Sequence, residues 1–262
     1  MSAFWEMFLE RREELLNLFV EHMEMTGLAV ILSLVVGIPV GLLVTKNKTA
    51  ASIVIGIANL MQSIPSIGLL AFMVPFVGIG EKPAIIMVVI YALLPIIKNT
   101  YTGITGIDPL VLEAASGIGL SKAQQLLQIQ LPMAAPFIMA GIRISAVTAV
   151  GTVTIAAFAG AGGLGWMINL GLNANDANLV LLGAIPACLL ALLVDFVLGK
   201  VEKAITPEGL KPADQIVYLP RKKRMLRQGI ALALCAVLLV VPAAASIVDA
   251  LRSNDDKLVR CV

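Results

Sequence analysis

Long apolar runs alternate with short polar stretches along this chain, and the lengths of the runs predict its elements. A helix needs about 20 apolar residues to cross the roughly 30 Å of a bilayer's hydrocarbon. Runs of that order lie at 26–45, 51–80, 83–97, 133–159, 179–198 and 228–248, the third extended by Lys98 and Asn99. The run at 51–80 is too long for one simple span and is interrupted by Asn59, Gln62, Ser63, Pro65 and Ser66, so a bent span is expected there. Either Gln62, Ser63, Pro65 and Ser66 line a translocation pathway, or the kink is satisfied inside the bundle. Ahead of the first span, residues 1–25 place Trp5, Phe8, Leu9, Leu15, Leu16 and Phe19 at helical spacing among six acidic residues, which suits a surface-lying amphipathic helix.

The most polar internal segment, 108–132, predicts two short helices. Asp108-Pro109 reads as an N-cap with proline at the first helical position, and Gly119 ends that helix. Ser121 with Gln124 three residues on is a capping-box pattern that starts a second helix running to Pro132.

Composition then fixes the class. With 59% hydrophobic and 14% charged residues, the chain exposes too much apolar surface for an ordinary soluble domain, so it reads as an all-α, polytopic membrane protein. A net charge of +2 gives no reason to expect nucleic acid. Cys188, Cys235 and Cys261 lie far apart, which suggests neither a disulfide framework nor a metal site. With His22 as the only histidine and no nucleophile beside a base, a membrane enzyme is disfavoured, and no catalytic residue, metal or cofactor is expected. The first 25 residues lack the apolar core of a cleavable signal peptide. Gly160 to Gly165 satisfies Gly-x-Gly-x-x-Gly, but no strand precedes it, so a mobile glycine loop at the membrane surface is expected, anchored by Trp166.

Charge distribution sets the orientation. With the N-terminus outside, six crossings place twelve Lys or Arg in the cytoplasm, eight of them between 200 and 227, against six outside. The positive-inside rule therefore favours both termini outside and the 108–132 segment in the cytoplasm. Arg143 and Asp195 fall within spans, where unpaired charges are costly; they are expected to face the bundle interior and pair, or else to snorkel to the cytoplasmic surface.

Glu113-Ala114-Ala115, then Gly119, then Ile129, Leu131 and Pro132 stand at the offsets of a known motif. The segment resembles the coupling motif of the membrane subunits of ATP-binding-cassette importers, with an ordinary amphipathic loop helix as the bland alternative. The resemblance implies that it docks on an ATPase, with Glu113 as polar anchor, Ala114 and Ala115 as small faces and Gly119 as the turn. Gln62-Ser63-Ile64-Pro65-Ser66, the glycine run and Thr206 to Lys211 are further similar to permeases for glycine betaine, carnitine and choline. That family implies a five-helix core resembling the methionine-importer permease, at 26–205 here. It also implies two ATP-binding subunits, a second permease subunit, identical or related, and an extracytoplasmic substrate-binding protein. A basic cytoplasmic connection at 206–227, a sixth span at 228–248 and an outer tail at 249–262 complete the expected layout. The chain carries no phosphate-binding loop of the form Gly-x-x-x-x-Gly-Lys-Ser/Thr, so ATP hydrolysis is expected on the separate subunit. Other small zwitterions such as ergothioneine or an amino acid are rival substrates. A secondary transporter is a distant alternative, since Asp195 is the only acidic residue well inside a span.

Overall fold

Side-chain caps start four of the ten α-helices among the described residues, each at a polar residue. Asn47 accepts hydrogen bonds from the amides of Thr49 and Ala50, Asp108 from that of Leu110 and Asp176 from that of Asn178. In the computed structural model, which describes residues 2–207 together with 229, 233, 236 and 240–244, every regular element among the described residues is helical. The expected connection, sixth span and tail, 206–262, lie outside these residues apart from those few positions.

In order, the helices are α1 (Ser2–Glu10), α2 (Arg12–Val44), α3 (Lys48–Ser63), α4 (Ser66–Val77) and α5 (Glu81–Thr105). They continue with α6 (Pro109–Gly117), α7 (Lys122–Gln125), α8 (Leu131–Ala156), α9 (Leu164–Ala174) and α10 (Ala177–Ile205). A wide π turn, Leu126–Gln130, joins α7 to α8, so Lys122–Ala159 is one long apolar helix. Among the described residues four helices are long and apolar enough to cross a membrane, and the α3–α4 pair, bent by 95°, makes a fifth if it counts as one span.

Helix α5 lies between α2 and α8, and α10 closes the bundle against α8. Small residues set how closely they approach: a Cβ added at Gly141 of α8 would stand 2.8 Å from Asn99 Cβ and from the Pro95 carbonyl of α5. Met25, Ala29 and Val30 of α2, Met87 and Val88 of α5, Ala146 to Val153 of α8 and Leu190 to Leu198 of α10 build the main core.

Three expectations change. The boundary at 25/26 falls inside α2, which continues back to Arg12 because Leu15 and Leu18 pack with Leu164 and Met167 of α9 and Leu179 and Leu182 of α10. This half of the acidic segment is therefore the start of α2, packed on the bundle along Leu15 and Leu18 with Glu13, Glu14 and Leu16 left exposed. Its polar residues are used as well: His22 donates from Nε2 to the Val150 carbonyl at 3.0 Å. Second, the glycine run is pinned in place. The Gly163 amide donates to Glu21 Oε2 at 3.0 Å and the Gly80 amide to the Ala159 carbonyl at 2.8 Å. Third, Pro132 does not end a helix. It sits inside the continuous helix directly after the π turn, whose wider ring accommodates it.

Candidate functional site: a capped hairpin below the spans

The 108–132 segment folds as its capping residues dictate. After α6, Gly119 takes φ +84°. Its amide donates to the Ser116 carbonyl at 3.0 Å and that of Leu120 to the Ala115 carbonyl at 3.1 Å. This pair of bonds is a Schellman closure, and glycine fits its left-handed position without a Cβ penalty. Ser121 then opens α7 with a reciprocal capping box: the Ser121 amide donates to Gln124 Oε1 at 2.9 Å, and the Gln124 amide to Ser121 Oγ at 3.4 Å.

The motif residues divide by exposure. Glu113, Ala114 and Gly119 are exposed, as are Leu110, Ile118 and Leu127. Ala115, expected beside Ala114 as a docking face, is turned inward and 3% exposed, so its small side chain serves the hairpin's own packing. Ile129 sits half-buried in the π turn, and Leu131 and Pro132 begin α8.

One residue that sequence reasoning passed over holds the corner together. Gln125 is 4% exposed, and its Nε2 donates to Ser116 Oγ at 3.0 Å and to the Leu120 carbonyl at 2.8 Å, tying α7 back to α6. The available signal was the Gln124-Gln125 pair, of which the capping box uses only the first.

At the bend, Gln62 donates from Nε2 to the Tyr91 carbonyl at 2.7 Å, and the Tyr91 hydroxyl donates to the Ile64 carbonyl. Tyr91 thereby bridges the broken helix to α5. Ser63 bonds back to the Asn59 carbonyl at 2.9 Å, and Ser63 and Pro65 are exposed while Ser66 is half-buried at the start of α4, which has no side-chain cap.

Arg143 and Asp195 come together across α8 and α10. The pairing is bidentate, Nε to Oδ1 at 2.6 Å and Nη2 to Oδ2 at 2.7 Å, with Nη1 reaching Glu202 Oε2 at 3.4 Å. Where the interior of the bundle was expected, the pair instead lies half-exposed on an open flank of these two helices. Glu202 was missed, although it stands two turns from Asp195 on the same face of α10. Among the described residues no group of three or more His, Cys, Asp or Glu is placed to hold a metal ion.

Comparisons with known proteins give this geometry a family. Residues 33–207 match the model of the binding-protein-dependent transport system inner membrane component. The choline transport system permease protein OpuBB of Bacillus subtilis (strain 168) is 43% identical over 198 residues, 76% of this chain and 91% of the relative. The carnitine transport permease protein OpuCB of Listeria monocytogenes is 42% identical over 213 residues, 81% of this chain and 98% of the relative. Among solved structures, a chain of the MetNI methionine ABC transporter in an inward-facing conformation superposes with a TM-score of 0.66 at 27% identity, covering 74% of this chain and 97% of that one. A family model spanning two-thirds of the sequence, full-length relatives and a shared helical fold lead to one conclusion: the chain belongs to the family of binding-protein-dependent transport system inner membrane components.

Proposed function

We propose that this chain is the membrane-spanning permease subunit of an ATP-driven importer for a quaternary-ammonium compound, of the glycine betaine, carnitine or choline type. The observation that carries the mechanism is the hairpin at 108–132, closed by the Gly119 turn and the Ser121 capping box, with Glu113, Ala114 and Ile118 left exposed. A nucleotide shifts a transporter between states only through contacts that differ between them, so ATPase closure has to reach the spans through a stiff element. The hairpin is such an element, because its second half runs without a break into α8. Glu113, exposed at the middle of α6, offers an anchor to donors on the ATPase.

In this reading ATP is hydrolysed on two separate subunits, and the membrane part is a pair made with a second copy or a relative. A substrate-binding protein delivers the ligand on the outer side. Both termini lie outside, the five spans are followed by a sixth at 228–248, and the polar bend at Gln62, Ser63, Pro65 and Ser66 borders the path. The substrate class comes from the names of the relatives.

The test is uptake of labelled glycine betaine, carnitine, choline, ergothioneine and methionine by cells expressing the whole transporter. ATP-dependent uptake of a quaternary-ammonium compound, competed by its analogues, is the expected result. Uptake of methionine or ergothioneine alone would reassign the substrate. Failure to co-purify any ATPase would remove the importer reading.

A further inference from the structure

The Arg143 cluster carries more than an ion pair needs. A guanidinium has five N–H donors. Asp195 takes one each from Nε and Nη2, and Glu202 takes one from Nη1 at 3.4 Å, so one hydrogen on each Nη remains available. Arg143 is nonetheless 35% exposed and Asp195 42%, on helices long and apolar enough to span a bilayer. In the topology proposed above, Lys200, Glu202 and Lys203 stand at the cytoplasmic end of α10 within about two turns of Asp195, and ionised groups there need water or protein beside them, because hydrocarbon solvates them poorly.

A groove of about 510 Å³ opens beside them, bordered by Leu192, Phe196, Lys200 and Lys203. That volume is within the range of about 300–1,000 Å³ typical of small-molecule sites. Its floor is shaped for the arginine: a Cβ at Gly199 would stand 3.1 Å from Cζ, so the guanidinium lies directly on the backbone of α10. One wall already holds a cation on an aromatic face, with Lys200 Nζ 5.1 Å from the centre of the Phe196 ring. Free guanidinium donors, a carboxylate and an occupied cation–π position thus meet in one cleft.

We propose that this groove is a water-filled station on the translocation path that holds a small quaternary-ammonium zwitterion, its ammonium over the Phe196 ring beside Asp195 and its carboxylate on Arg143 and Lys200. The ligand's ammonium takes the place of Lys200 on the ring, and the displaced lysine meets the ligand's carboxylate, so every charge keeps a partner. A cation without a carboxylate, such as choline, fills only the aromatic half. The station rests on the substrate class proposed above.

The first experiment asks whether the groove is wet and occupied. In the whole transporter, with the three native cysteines changed to serine, Leu192→Cys is treated in inside-out vesicles with the cationic thiol reagent 2-(trimethylammonio)ethyl methanethiosulfonate. Labelling that saturating glycine betaine slows is expected. No labelling places the groove against lipid, and labelling that glycine betaine leaves unchanged shows it empty of ligand; either overturns the station.

The second is uptake. Phe196→Leu keeps the bulk and removes the π face, and should lower glycine betaine uptake about fivefold at equal membrane abundance, with Phe196→Tyr restoring it. Lys200→Gln should lower glycine betaine uptake more than choline uptake. Unaltered transport by Phe196→Leu overturns the station alone. An unmodified chain that carries no quaternary-ammonium compound overturns the substrate class and the station with it.

Discussion

Gln125→Leu keeps the size of the side chain and removes its amide, and with it the side-chain tie from α7 back to α6 and the Leu120 carbonyl. Two hydrogen bonds go, at 3.0 Å to Ser116 Oγ and 2.8 Å to the Leu120 carbonyl. At a net 0.5–1.5 kcal/mol each, the hairpin should lose about 2 kcal/mol, and the Leu120 carbonyl has no side-chain replacement. Ser116 Oγ itself still donates to the Leu112 carbonyl at 2.9 Å, so α6 is not undone. The loss is local, because the spans are held by a core to which the hairpin does not contribute. With 1.4 kcal/mol per factor of ten, local opening should rise about thirtyfold. Tryptic cleavage after the exposed Lys122 in inside-out vesicles reads that opening directly. Ser116→Ala, which removes one of the two bonds, should raise cleavage only severalfold. Equal cleavage of Gln125→Leu and the unmodified chain would refute the reasoning, and would mean that the capping box and the Schellman turn hold the corner without the glutamine.

The remaining expectations follow from the same structure. Gly119→Val places a side chain at φ +84° but into open space, with nothing within 4 Å of its Cβ, so the cost to the fold is about 1 kcal/mol. It should therefore leave membrane abundance intact while ATPase co-purification and uptake fall, and Glu113→Lys should share this phenotype; normal uptake by both would reduce the hairpin to an ordinary loop. Gly141→Leu drives its side chain into Asn99 and the Pro95 carbonyl and should destabilise by about 3 kcal/mol, seen as lost membrane abundance. Gly151→Leu on the same helix meets nothing within 4 Å and should be tolerated. Asp195→Asn should cost about 1 kcal/mol by thermal melting, modest because the pair is half-exposed, and Glu202→Gln less, since it touches Arg143 once at 3.4 Å.

What the sequence disclosed was what local chemistry decides. Asp108-Pro109, Ser121 with Gln124, and Gly119 each act within a few residues, and each is found in its expected role as cap or turn. The break at Pro65 was legible for the same reason, since a missing N–H and two flanking serines mark it without reference to any other helix. What escaped was tertiary. Residues 1–25 read as a separate surface-lying amphipathic helix because nothing nearby shows that Leu15 and Leu18 pack on α9 and α10. The glycine run read as mobile because its anchor, Glu21, is 142 residues away. Glu202 was invisible until α8 and α10 were placed side by side. The uninterrupted passage from α7 into α8 was hidden by Pro132, which reads as a stop unless a wide turn just before it absorbs the strain.

That wide turn also sets a phase. The Leu131 amide reaches back five residues to the Leu126 carbonyl, so Leu126–Gln130 holds one residue more than an α-helical turn would. Each residue advances an α-helix by about 100°, and because α8 is held by the core, the extra one decides which way the hairpin joined to it faces. The fixed interval from Gly119 to Leu131-Pro132 is in this sense a dial that aims Glu113 and its exposed neighbours. Deleting Gln128 should turn the hairpin by about 100° and lower ATPase co-purification, while Arg143 stays on Asp195.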